Sequence, residues 1–294
     1  MTTTAHSETG TLRHLIIKHA RDAFVSQDVL NAQWKDLGFT AVPDFARAVR
    51  EYDALLELLG RAGARIETLP PEGDLTPDSM YVRDASVVTN RGVILCRMGK
   101  PQRMNEPAAQ EAFFKKAGIP VLGTIQPPGR LEGGDVVWLD EQTVAVGRGY
   151  RTNADGIEQL HSLLGNSVKE VIAVALPHWR GAGDVFHLMS ILSPVDRDLA
   201  LVYSPLMSVA FREGLLERGL TLVEVPDEEF ESMGTNVLAI GPRRCVMVAG
   251  NPKTRARLER AGVEVLEYEG QEISIKGGGG PTCLTRPLSR EASS

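Results

Sequence analysis

No apolar run in this chain approaches the roughly 20 residues that a helix needs to cross a bilayer, so no membrane span is expected. Met1 to Gly10 is small and polar with no apolar stretch, so no secretory signal is read there. Cysteine is scarce: Cys96, Cys245 and Cys283 are odd in number and far apart. That pattern suits free thiols in a reducing compartment, and a soluble cytoplasmic protein is expected. There is no Cys-x-x-Cys, no His-x-x-x-His and no third soft ligand near Cys283, so no metal site is expected. A P-loop is missing, because Lys276 precedes Gly277 to Gly280 rather than following it, and no GxGxxG joins a strand to a helix. Positive charge is in deficit as well. A net charge of −6 argues against a nucleic-acid or anionic-membrane surface and tolerates a cationic small substrate.

What is present suffices for a sizeable core: 294 residues, 43% of them hydrophobic. Leu12 to Lys18 reads as a short buried strand, and His19 to Ala41 as an irregular stretch, either surface loop and helix or a lid. Pro43 to Leu59 carries Phe45, Val49, Tyr52, Leu55, Leu56 and Leu59 at helical spacing, with Gly60 and Gly63 as stop signals. Ala64 to Leu69 follows as a strand. From Ser86 onward the chain repeats strand, turn, strand, helix, strand. Equivalent polar residues at the start of each unit, Asp84, Glu132, His187, Asn236 and Cys283, are separated by 48, 55, 49 and 47 residues. Periods near 50 signal a radial or solenoid array.

Four complete ββαβ units fit between residues 80 and 270. A fifth takes its first strand from Cys283 to Leu288 and its helix from the N-terminal segment, so the two ends close a ring without exposed edges. The expected fold is therefore α/β, a five-bladed propeller with pseudo-fivefold symmetry. It is expected as one domain over residues 12–289, between a disordered tail at 1–11 and a short tail at 290–294. A homodimer is compatible with this reading.

Such a ring aims one residue per unit at a common centre. A thiol, an imidazole and carboxylates brought together there suit attack on a polar or cationic carbon. Each residue alone has a plainer explanation. His187 is then a hydrogen-bonded core histidine, Glu132 and Asp135 flank a Gly133-Gly134 turn, Asp78 and Asp84 cap or turn the chain, and Arg103 and Arg151 are solvated charges. The run Gly277 to Gly280 before Pro281 is either a flexible turn or a backbone able to wrap closely around a ligand.

Leu131-Glu132-Gly133-Gly134-Asp135-Val136, Arg151-Thr152-Asn153-Ala154-Asp155-Gly156, His187-Leu188-Met189-Ser190 and Pro281-Thr282-Cys283-Leu284 occur in an order that resembles the guanidine-modifying superfamily. That superfamily includes arginine deiminases, amidinotransferases and dimethylarginine dimethylaminohydrolases (dimethylargininases). The resemblance covers nearly all of residues 12–288, implies the five-bladed propeller, and is strongest to the dimethylargininases through Pro77 to Asp84. It implies that Cys283 is the nucleophile, His187 the acid and base, and Glu132 its orienting partner. Asp78 would bind an α-amino group, Asp84 a guanidinium, and Arg103 and Arg151 an α-carboxylate. Two positions depart from the pattern. Arg83 stands where dimethylargininases carry glutamate, and Met189 where arginine deiminases carry aspartate. An apolar Met189 beside a single acid suits an N-alkylated guanidine. The implied activity is hydrolysis of Nω-methylated L-arginine to L-citrulline and an amine through a Cys283 thiouronium, with no cofactor. The rivals are deimination of free arginine, amidinotransfer, and binding of arginine-like metabolites without turnover.

Overall fold

The computed structural model describes residues 2–71, 74–184 and 186–292. Its described residues form an α/β structure with five separate sheets, four three-stranded and one four-stranded. The internal repeat is directly visible. In each three-stranded sheet two consecutive strands pair antiparallel, a helix follows, and a third strand joins the second in parallel. The first unit uses Ser86–Thr89, Gly92–Leu95, helix Glu106–Lys116 and Val121–Thr124. The second uses Val136–Asp140, Thr143–Arg148, Ala154–Leu164 and Glu170–Ala175. The third has Leu192–Asp196, Leu199–Val202, Val209–Glu217 and Thr221–Glu224. The fourth has Leu238–Gly241, Arg244–Val248, Pro252–Arg260 and Glu264–Tyr268.

Local chemistry fixes these boundaries. Asp44 and Asn153 cap their helices by accepting from Arg47 N at 2.7 Å and Gly156 N at 3.0 Å. Helices ending at Arg61, Lys116, Glu217 and Arg260 each meet a glycine with φ between 71° and 84° two residues on, the left-handed stop that turns the chain back to the sheet. Burial falls outward across each unit: Ser86–Thr89 and Gly92–Leu95 are buried throughout, whereas Val121–Thr124 is half-buried to exposed. The leading strands thus lie deepest, and the parallel third strands face water.

The fifth sheet joins the two ends of the chain. Arg286–Glu291 pairs antiparallel with Leu12–Ile17, which pairs parallel with Arg65–Thr68 after helix Phe45–Arg61. The first strand of this unit starts at Arg286 rather than Cys283, because Cys283 and Leu284 turn back and donate to Gly280 O. The expected disordered tail is also corrected. Thr3–Thr4 pairs with Arg290 and Glu291, and Glu8 is buried. The expected 290–294 tail likewise begins inside the strand. Met1 and residues 293–294 lie outside the described residues. Among the described residues, no helix is long and apolar enough to cross a membrane.

The reason for this order is electrostatic. Arg286 and Arg290 share one face of their strand and are buried, as is Arg83. Burial lowers Arg286 and Arg290 to about 9 and about 10, with the neighbouring Arg83 charge adding to the effect. Glu8 answers this positive charge, bonding Arg83 at 2.6 Å. Glu8→Gln is expected to cost about 3 kcal/mol, because it leaves buried guanidinium charge uncompensated. Urea unfolding measures it, and an unchanged midpoint would show that the N-terminal segment is dispensable.

Candidate active site

The segments that lead into the five first strands meet at one cavity of about 220 Å³. Asp84, His187, Asn236 and Cys283 line it, and Glu132 stands fully buried behind His187. Asp78, Arg103, Arg151 and Met189 line it as well. Every residue expected at the site is therefore at or directly behind this cavity. Arg83 is not: it points into the interior toward Glu8, so its side chain does not shape the pocket.

The Glu132-Gly133-Gly134-Asp135 segment owes its glycines to close approach. A Cβ on Gly134 would lie 2.6 Å from His187 Nδ1 and 2.8 Å from Asp84 Oδ1, and one on Gly133 would lie 2.1 Å from Arg83 O. Only a bare backbone lets the imidazole and the aspartate pack together here. The glycines near the C-terminus act similarly. Cβ atoms on Gly277 and Gly279 would run into the Tyr81 ring, and Tyr81 is anchored by donating to Ile273 O at 3.1 Å. This run is a packed wall of the cavity.

A ladder of alternating charge crosses the floor. Glu106 accepts from Arg103 through both carboxylate oxygens at 2.8 Å, and Arg103 donates to Asp84 at 2.6 Å. Asp84 Oδ1 lies 4.0 Å from His187 Nδ1. His187 Nε2 donates to Glu132 at 2.7 Å, and Glu132 accepts from Arg151 at 3.2 Å. Asp135 fixes the other side of the histidine loop by accepting from Leu188 N at 2.9 Å.

The ladder sets the protonation states. Burial by itself disfavours the His187 imidazolium, but Asp84, Asp135 and the bonded Glu132 outweigh it and hold His187 up to about 9. Burial likewise works against the Glu132 carboxylate, yet the His187 bond and charge, with Arg151, keep it well below the usual range. The resting pair is imidazolium and carboxylate. Burial pushes Asp135 up to about 6, and burial with the Asp84 charge pushes the Cys283 thiol up to about 11. A neutral thiol therefore faces the Asp84 carboxylate and the charged imidazole.

One ligand atom each from Asp84, Glu132 and His187 lies within 4.8 Å of the others, a spacing a metal ion also admits. Here Arg103 and Arg151 already neutralise the two carboxylates and the imidazole is bonded to Glu132, so the trio is closed as ion pairs.

Three residues at the site had no assigned role. Asn236 Nδ2 donates to Cys283 Sγ at 3.7 Å, while its Oδ1 accepts from the Thr282 amide and hydroxyl at 3.2 and 2.9 Å. It positions the Cys283 loop, and its place in the 50-residue repeat was the available signal. Lys100 bonds Asp78, and Thr282 lies 3.8 Å from the thiol. His19 to Ala41 folds into helices Ala20–Phe24 and Gln27–Gln33 and then borders the cavity with Leu37, Gly38 and Thr40. Thr40 N donates to Lys276 O at 2.8 Å, fastening this segment to the glycine wall.

The pH dependence of stability follows from the raised histidine. Its contribution is complete below its ordinary value of 6.5 and is lost as pH rises through about 9. The stability gap between wild type and His187→Gln, from urea unfolding, is expected to narrow across that window. A gap that widens with rising pH would contradict the charged pair.

The sequence model of the arginine deiminase family matches residues 73–217 and 207–290. The dimethylarginine dimethylaminohydrolase of Streptomyces coelicolor is 32% identical over 247 residues, 82% of this chain and 86% of that protein. An arginine deiminase of Listeria welshimeri is 30% identical over 263 residues, 74% of this chain and 63% of that longer protein. Among solved structures, a cysteine-to-serine variant of dimethylarginine dimethylaminohydrolase from Pseudomonas aeruginosa, complexed with citrulline, superposes with a TM-score of 0.76. It is 25% identical, and the match covers 94% of this chain and 98% of that one. The chain belongs to the arginine deiminase family of the guanidine-modifying superfamily and is an amidine-hydrolysing enzyme.

Proposed function

We propose that this enzyme hydrolyses Nω-methylated L-arginine to L-citrulline and methylamine or dimethylamine through a thiouronium on Cys283. One observation carries the reading: a thiol opens into a pocket whose wall is a buried imidazolium–carboxylate pair. The likeness to a dimethylarginine dimethylaminohydrolase over 82% of the chain supports the substrate class. The five repeated sheets, closed by pairing of the two chain ends, support a five-bladed propeller around this pocket.

A guanidinium keeps its proton near neutral pH, with a pKa above roughly 12. Asp84 holds that charge, and the planar group lies against Cys283. The incoming cation lowers the thiol's pKa, reversing the effect of burial, and the proton leaves to solvent. The thiolate adds to the central carbon to give a tetrahedral adduct. His187 transfers its proton to the departing amine, the carbon–nitrogen bond breaks, and a cationic thiouronium remains. The neutral imidazole then takes a proton from water, whose oxygen adds to the same carbon. Collapse breaks the carbon–sulfur bond, loses the hydroxyl proton to solvent, forms the urea group of citrulline and returns the thiolate. Glu132 keeps the imidazole oriented throughout. Met189, apolar and buried at the pocket, offers an N-methyl group a place that a second carboxylate would deny.

Citrulline and amine release from dimethylarginine, monomethylarginine and arginine, measured side by side, tests the substrate. Methylated amines with little ammonia are expected. Ammonia from arginine alone would make the enzyme a deiminase, and label passing to an added amine acceptor would make it an amidinotransferase. On the active substrate, His187→Ala is expected to lose about 10²- to 10⁴-fold in kcat. A variant that still cycles normally would remove the acid and base role.

A further inference from the structure

We infer that the buried arginines at the junction of the chain ends hold a compact monovalent anion of the halide class, at a site separate from the catalytic cavity. Three guanidiniums meet there: Arg83, Arg286 and Arg290 are 1%, 5% and 1% exposed. The carboxylate bonded to the cluster is that of Glu8, which accepts from Arg83 Nη2 at 2.6 Å. Asp84 also acts on Arg286, but it is already engaged by Arg103 at 2.6 Å and by Gly134 N at 2.9 Å. Cys96 lies near Arg286 as well, and burial holds its thiol neutral. Positive charge is therefore left in excess where water is excluded, a state that costs heavily unless an anion answers it.

The remaining donors show where that anion sits. Arg290 spends Nη1 on Gly10 O and Ala239 O, both at 2.8 Å, and Arg286 spends Nη2 on Arg83 O. Arg83 Nε and Nη1, Arg286 Nε, and Arg290 Nε and Nη2 are buried without a hydrogen-bond partner among the described residues. Arg83 acts electrostatically on both of the other arginines, so it stands between them, with unpaired donors of its own. Water could accept from these N–H groups but would leave the charge unmatched, whereas an anion does both. The tight surroundings favour a small ion, and a dianion would pay far more for dehydration. A second cavity, of about 510 Å³, reaches Glu8 and shares no lining residue with the catalytic one, which gives the ion its own route from solvent.

The test uses the full-length protein with chloride replacing gluconate at constant ionic strength, so that general screening does not change. From urea unfolding, the folding constant is expected to rise with chloride. It should approach a tenfold gain per tenfold chloride at saturation, the law for one ion held by the folded chain alone. Glu8→Gln removes the competing carboxylate and is expected to move the onset to lower chloride. Arg83→Glu places an acid inside the cluster and is expected to abolish the dependence. Crystals soaked in bromide are expected to show an anomalous peak against Arg83 and at least one of Arg286 and Arg290. That peak needs no variant, so it decides the matter even where Arg83→Glu does not fold. Equal stability in chloride and gluconate, or water alone at the guanidiniums in the bromide soak, would overturn the inference. A chloride dependence unchanged in Arg83→Glu would put the ion elsewhere and overturn it too. Stabilisation by sulfate but not by chloride would overturn the monovalent class.

Discussion

Ionised side chains taken out of water must be matched, and this constraint organises the molecule. Glu106, Arg103, Asp84, His187, Glu132 and Arg151 are all buried, and each neighbouring pair along that order has opposite sign. Removing one member strands its neighbours, which is costlier than the pair is worth. The ladder joins three of the repeated units, so packing of the sheets and protonation of the site are one problem. The buried arginines 83, 286 and 290, reached by Glu8, show the same rule at the junction of the chain ends.

The Cys283 thiol sits at the edge of this order. Its neutral resting state follows from burial beside Asp84, and in the proposed mechanism a cationic substrate reverses it. Reactivity is thereby tied to occupancy by the right charge. The surroundings are fixed beforehand: Asn236 and Thr282 hold the cysteine loop, Tyr81 and the glycine wall set the cavity's side, and Glu132 holds the imidazole. Such preorganisation spares reorganisation in the reacting complex.

The repeat was legible because strand, turn and helix signals are local. Alternation, left-handed glycine stops and polar residues every 50 positions placed the four internal units within a few residues. Cys283, His187, Glu132 and Asp84 were legible as a set through that period. What was hidden depends on distant partners. Glu8 looks like a solvated charge until Arg83, 75 residues away, is placed beside it. The final strand starts at Arg286 because a turn holds Cys283, and Cys283 to Leu288 alone does not show that turn. Arg103 reads as a free fork, yet Glu106, three residues on, and Asp84, nineteen back, already fill it. Lys100 carries no motif, and only its approach to Asp78 marks it.

The central claim is that turnover passes through a covalent bond to Cys283. Acid-quenching wild-type enzyme within milliseconds of mixing with Nω-methyl-L-arginine, then weighing the protein and its peptides, addresses it directly. The account predicts a transient mass increase equal to substrate less methylamine, confined to the peptide holding Cys283 and absent in Cys283→Ser. Steady citrulline formation with no such species, or undiminished turnover by Cys283→Ser, would contradict it.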